Sequence, residues 1–345
     1  MKLKPLQKYF FFFTVAIASC RETTTINRPK VNHIAVDVKI ERFDKELAAI
    51  KPEELLYYNN LWQQKYGAFY NDYMNQMLQI GDPKDSIRVY EYLRQILLQK
   101  DFIDLNNAVI KAYPNMERYE KELATAMKYV KHYFPNYTIP RFITYVSGFA
   151  YQTPIGEDYI GIGLDMFLGA DSEFYPALVQ SIPLYISRRF TSENITPRVV
   201  EALLREDLYP LPDLTQNTLQ HMVYNGKILY AMDILLENVP DEIKIGYTAE
   251  QLAWAKRYEA DVWTWFLQEN LLYHTDYLRI QKYFTEAPFT PELGENNESA
   301  PKLGTYIGWK IVRKYMDKHP EVTLKELLED TDAQFILEKS KYKGK

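Results

Sequence analysis

Between Thr138 and Gly169 the chain changes its period, and that change limits what the rest can become. "IPRFITYVSGFA" and "DYIGIGLDMFLG" are rich in β-branched and aromatic residues and flank "YQTPIGE", where Pro154 and Gly156 are turn formers. The two runs read as a hairpin-like pair of strands, with room for a third. In the second run Gly161 and Gly163 alternate with Ile160, Ile162 and Leu164. One face is thereby stripped of side chains, so something can approach that backbone closely. Elsewhere the apolar spacing is helical. Leu55, Tyr58, Leu61, Trp62, Tyr66 and Phe69 form a stripe within 52–80, and Ile87, Tyr90, Leu93, Ile96 and Leu97 form another within 85–112. Residues 115–134 give a third amphipathic helix that stops before Pro135. Helices resume at Tyr175, and the first of them carries Pro183 in its interior, which should kink it. The expected fold class is α+β: mostly α-helical with a small antiparallel β-sheet around 138–165, in a single mostly helical domain over 36–340.

The first twenty residues say where the chain works. Lys2, Lys4 and Lys8 precede an almost wholly apolar run from Tyr9 to Ile17, and Ala18, Ser19 and Cys20 follow. A basic start, a short apolar core and small residues before a cleavage point describe a secretory signal peptide. The run is too short to cross a bilayer as a helix, which takes ~20 residues. Cys20 is the single cysteine, and at the first mature position it turns the pattern into a bacterial lipobox. Residues 1–19 are therefore expected to be a lipoprotein signal peptide and 20–35 a flexible tether. Lipid grafted onto Cys20 is the membrane anchor, in a periplasm-facing cell envelope whose membrane, inner or outer, stays open. With that thiol consumed, zinc sites built on thiolates and cysteine catalysis are excluded from the mature domain.

Charge and motifs narrow the function. The formal net charge is −5, and removal of the three leader lysines takes the mature chain near −8, which argues against nucleic acid as a partner. HExxH, GxSxG, P-loop and dinucleotide patterns are all missing from the sequence. His33, His132, His221, His274 and His319 are never three to five residues apart, so no helical pair of metal ligands forms. No catalytic residue, metal or cofactor is assigned. Three stretches still stand out, at 161–190, 217–233 and 294–316. Gly226, Gly304 and Gly308 lie in helical patterns within them and point to close helix packing. Their polar residues Asp165, Arg188, Arg189, Tyr224, Lys227 and Glu298 are the candidates to line one groove.

"LDMFLGADSEFYP", "PLYISRRF", "MVYNGKILYAMD" and "ENNESAPKLGTYIGWKIVRKY", in that order behind a lipobox, resemble the gliding-motility lipoprotein GldB family over essentially the whole mature chain. The resemblance implies a cell-envelope lipoprotein, palmitate-type chains on Cys20, and a role in gliding alongside other envelope proteins. A more distant likeness, to zincin-like metallopeptidases, implies a degenerate zincin-like architecture without the HExxH motif. Ile182, Pro183 and Ile186 stand in the neighbourhood where ligands and base are needed, and Asn225 stands where glutamate would precede Gly226. Apolar side chains cannot coordinate zinc. The reading is a pseudoenzyme that acts by protein binding, with an extended polypeptide at the sheet edge near 158–164. Two alternatives remain. One is a metal-dependent peptidase-like hydrolase using Asp165, His221 and Glu298. The other is a carrier using the surface of 254–277, where Trp254, Tyr258, Val262, Trp265 and Phe266 recur at helical spacing.

Overall fold

The computed structural model describes residues 26, 28–212, 216–294, 296 and 298–345. Cys20 and the leader lie outside the described residues. Three strands, β1 (Ile40–Arg42), β2 (Arg141–Tyr145) and β3 (Tyr159–Gly163), form one sheet in the order β1-β2-β3. Both pairings are parallel, with Ile40 beside Phe142 and Arg141 beside Tyr159. The expected antiparallel sheet is therefore wrong. The mostly helical character stands.

The geometry of residues 146–158 explains the error. A parallel pair needs a crossover, and this segment runs back to the starting end of β2 before β3 begins. On the way it lies antiparallel to β3. Gly161 N donates to Pro154 O at 2.8 Å, Gly163 N to Gln152 O at 2.9 Å, and Gly156 N to Tyr159 O at 2.9 Å. The turn at Pro154 and Gly156 is real, but the segment it pairs with β3 is 152–156 and not β2. The bare face of β3 is what admits this segment: a Cβ on Gly163 would lie 2.4 Å from Tyr151 O, and one on Gly161 2.9 Å from the Pro154 ring. The edge where an extended polypeptide was expected is thus covered by the protein's own chain.

Aromatic packing holds the N-terminal half together. Phe43 opens α1 (Phe43–Ala49) and is ringed edge-on by Trp62, Tyr66, Phe69 and Tyr73 at centroid distances of 5.0–5.3 Å. Trp62 and Tyr66 come from α2 (Leu55–Tyr66), whose expected stripe is buried except at Leu61 and, in part, Tyr58. Edge-to-face pairs of this kind add to the area that the rings bury. The third expected helix is α3 (Glu117–Tyr133).

The C-terminal half is organised around two closely packed helices. α5 (Thr218–Leu235) is apolar on nearly every side and almost entirely buried, as a helix enclosed by others must be. It is preceded by α4 (Ile195–Ala202), which runs on into a wider π turn at Leu203–Leu208. α6 (Leu303–Lys318) packs directly on α5. Contact between the two is backbone to backbone: a Cβ on Gly226 would fall 2.2 Å from Gly308 O, and one on Gly308 1.8 Å from Met222 O. A charged node pins the same pair. The Asp233 carboxylate accepts from Lys244 (2.8 Å), Trp309 (2.8 Å) and both Nε and Nη2 of Arg313 (2.7 Å each). Arg313 is also bidentate to Asp241 at 2.7 and 2.8 Å. Arg28 closes on the same spot, donating to the Asp233 carbonyl at 2.6 and 3.1 Å, and Val31 is buried nearby in sequence.

The long kinked helix expected from Tyr175 does not form. A short 3₁₀ turn at Tyr175–Leu178 is followed by bends and a four-residue helix, Leu184–Ser187. Pro183 sits at the N-cap of that helix, where its missing N–H costs nothing. No described helix is long and apolar enough to cross a membrane.

Candidate functional site

The helix spacing of α4 and its π turn puts Arg198, Glu201 and Arg205 on one face, three and four residues apart. Arg198 Nη1 meets Glu201 Oε2 at 2.9 Å, and Arg205 Nε meets Glu201 Oε1 at 2.9 Å. Arg205 Nη2 reaches α5, donating to Asn225 Oδ1 at 3.2 Å. The opposite wall is built by Lys302, which enters α6 with a left-handed backbone (φ 52°). Its ammonium donates to Ile245 O at 2.7 Å and to Glu286 Oε1 at 2.6 Å, and Arg189 Nη1 shares that carboxylate at 2.7 Å. Between the walls lies a half-open cavity of about 320 Å³, with Phe284 and Thr305 also in its lining.

Four cations therefore face two carboxylates at short range. Burial pushes Glu201 up, but the charges of Arg198 and Arg205, helped by Arg189 and Lys302, hold it far below the ordinary glutamate range. For Glu286 the same contest is won by Lys302 and Arg189, and its pKa is lowered. The cations feel their own crowding. Arg189 is lowered by burial and then by Arg198, and Lys302 is lowered by burial although Glu286 opposes it. A carboxylate clamped in its anionic form by two guanidiniums is a poor general base. Among the described residues no three His, Cys, Asp or Glu side chains gather to hold a metal ion.

The cavity opens into a larger one of about 660 Å³ that shares Arg205, Asn225 and Phe284 with it and continues past His221, Tyr224 and Tyr277. His221 packs its ring 5.3 Å from Phe284 and 5.8 Å from Tyr277. Together they form one groove, charged at one end and aromatic at the other.

The candidate residues read from the sequence are placed as follows. Tyr224 lines the aromatic end, its ring stacked 5.2 Å from Tyr209 and its hydroxyl donating to Tyr209 O at 3.2 Å. Arg189 stands behind the charged end, and half-buried Arg188 beside it donates to Gly246 O at 2.8 Å. Asp165 is elsewhere, fully buried after β3, where its Oδ2 accepts from Ser147 N (3.1 Å) and Phe149 N (2.8 Å). Burial raises Asp165 to about 6 against the lowering effect of those amides. Lys227 is buried on another side of α5, donating to the Asp330 carbonyl. Glu298 lies in a separate pocket of about 540 Å³ with Trp254, Tyr258, Val262 and Trp265. Asp165, His221 and Glu298 thus occupy three different places and do not form one constellation.

The sequence reading missed Arg198, Glu201, Arg205, Glu286 and Lys302. The signal for the first three was available in "RVVEALLRE", where opposite charges recur at helical spacing. Glu286 and Lys302 come from loops and carry no local pattern.

A family model described as gliding motility protein GldB matches residues 24–344, nearly the whole chain. Comparison with curated proteins and with solved structures gives no match.

Proposed function

The chain belongs to the gliding motility protein GldB family, a family of gliding-motility lipoproteins, and from that premise we propose that it works without catalysis, by binding other envelope proteins in its groove. Lipid on Cys20 holds it to the periplasmic face of a membrane in this reading. The observation that carries the non-catalytic part is Glu201: this carboxylate of the cleft is locked between Arg198 and Arg205, as Glu286 is between Arg189 and Lys302. Such a carboxylate neither takes up a proton near neutral pH nor has a free edge for a metal.

The test is Glu201→Gln, expressed as the only copy in cells that glide. The substitution keeps the side-chain volume and all the cations of the groove, so gliding is expected to persist. Loss of gliding, together with loss of a measurable peptidase activity in the purified protein, would refute the proposal. In parallel, Cys20→Ala is expected to leave the membrane fraction, and normal anchoring of that variant would remove the lipid from the account.

A further inference from the structure

The charged end of the groove holds more hydrogen-bond donors than the protein uses. We propose that it is a carboxylate-binding subsite: the partner is a polypeptide segment whose acidic group enters between Arg198, Arg205 and Lys302 while an apolar neighbour lies over Phe284 and Tyr277. This rests on the binding reading above and supplies the chemistry of what is bound.

Charge gives the first argument. Arg189, Arg198, Arg205 and Lys302 are opposed by Glu201 and Glu286 at close range and by exposed Glu206 in the cavity lining, a surplus of one positive charge. Lys244 also lines the cavity, but it belongs to the neighbouring node, where Lys244 and Arg313 balance Asp233 and Asp241. The surplus is therefore local to the cleft, in a chain whose overall charge is negative.

The second argument is valence. Arg198 spends Nε on Gln152 (3.0 Å) and Nη1 on Glu201, which leaves Nη2. Arg205 has five N–H groups and directs three of them at Glu201, Asn225 and the Tyr224 hydroxyl, which leaves two. Lys302 has three N–H groups and two acceptors. Thr305 is decisive. Its residue is 4 % exposed, it lines the cavity, and its hydroxyl has no partner among the described residues. A buried hydroxyl left unpaired costs ~1–3 kcal/mol, so a fold keeps one where something else completes it. Glu201 and Glu286 are already taken by cations, and Glu206 is turned to solvent, so an acceptor brought from outside would complete the set. Guanidinium forks match the two oxygens of a carboxylate. Phosphate would satisfy the same donors, but it has no apolar part for the aromatic stretch that shares Arg205, Asn225 and Phe284 with the cleft.

The experiment uses the full lipidated protein in detergent and two short fluorescent peptides, read by anisotropy at low salt. One ends in Phe-Glu with a free C-terminus; its twin ends in Phe-Gln-amide. The acidic peptide is expected to bind about tenfold or more tightly than the twin, because the twin leaves desolvated cations unpaired. Arg205→Gln should weaken the acidic peptide by about tenfold and the twin hardly at all. Thr305→Val guards against misfolding: it removes an unpartnered hydroxyl, so the variant should be at least as stable as the parent while binding the acidic peptide several-fold more weakly. Lys100→Gln, on an exposed helix far from the cleft in sequence, should leave binding unchanged. Equal binding of the two peptides, displacement of the acidic peptide by equimolar inorganic phosphate, or indifference to both variants would overturn the subsite. Cleavage of the bound peptide would instead overturn the non-catalytic reading and leave the subsite standing.

Discussion

Gly308→Ala tests the helix pair on which the whole C-terminal half rests. The added Cβ would sit 1.8 Å from Met222 O and 2.4 Å from its carbonyl carbon. An ordinary close C···O contact is about 3.3 Å, so α6 must withdraw from α5 by roughly 1.5 Å at that point. The obstacle is main chain in the middle of a buried helix, not the end of a side chain that can swing aside. Alanine gains ~1 kcal/mol over glycine in a helix interior. Against that stand ~1–3 kcal/mol for overpacking and the dispersion lost along Met222, Ile307, Ile311 and Val312 as the gap opens. The net expectation is a loss of about 2 kcal/mol or more, read as a lower urea midpoint at unchanged slope. A variant as stable as the parent, or more stable, would show that the close approach of the two helices is not what Gly308 is for. Gly226→Ala should move the midpoint in the same direction, since its Cβ meets Gly308 O at 2.2 Å.

Three further outcomes are expected. Asp165 has a folded pKa of about 6 against 3.8 unfolded, so its neutral form is the one the fold favours: its contribution is complete below about pH 4 and lost as pH rises through 6. His221, lowered by burial, pulls the other way, so the comparison to make is parent against Asp165→Asn. The asparagine variant should gain on the parent by about 2 kcal/mol between pH 4 and pH 7, and a difference that ignores pH would contradict this. Arg313→Met leaves Asp233 and Asp241 with Lys244 as their one shared cation, at 2.8 and 3.6 Å, and should cost about 3–5 kcal/mol by thermal unfolding; a loss below about 1 kcal/mol would mean that Lys244 alone balances the node. Glu201→Gln adds one charge to the surplus in the cleft, so its affinity for an acidic peptide should rise, which is opposite in sign to any role for Glu201 as a base.

Local patterns were the legible part of this fold. The aromatic stripe of α2 and the end of α3 before Pro135 could be read because helical period and proline act over a few residues. Ile87 and Tyr90 misled: the buried positions are Val89 and Leu93, because residues Val89–Leu93 wind as a π turn and rotate the face. The parallel sheet could not be read. β1 is three residues long and lies about a hundred residues from β2, too short for any alternation to show. Gly161 and Gly163 correctly signalled a close approach, but not that the approaching chain was 151–154. The cleft was half legible. Arg198, Glu201 and Arg205 shared a helix face in plain view, whereas Lys302 and Glu286 meet only because the fold brings two loops together. Asp165 drew notice as a polar residue leaving a strand, and its role is to hold the amides of the loop that follows β2.

Arg28 gives the molecule a short leash. Eight steps along the chain take it to Cys20, and fully extended backbone covers at most about 28 Å over that span. Because Arg28 grips α5 at Asp233, slack upstream cannot be borrowed from residues further along. The mouth of the groove, at Asn225, stands about 12 Å farther along the same helix, eight residues at ~1.5 Å each. With the proposed lipid on Cys20, the working radius is about 40 Å from the leaflet. Whatever seats its acidic end there must be brought down to the bilayer surface, since this protein has no length with which to go and fetch it.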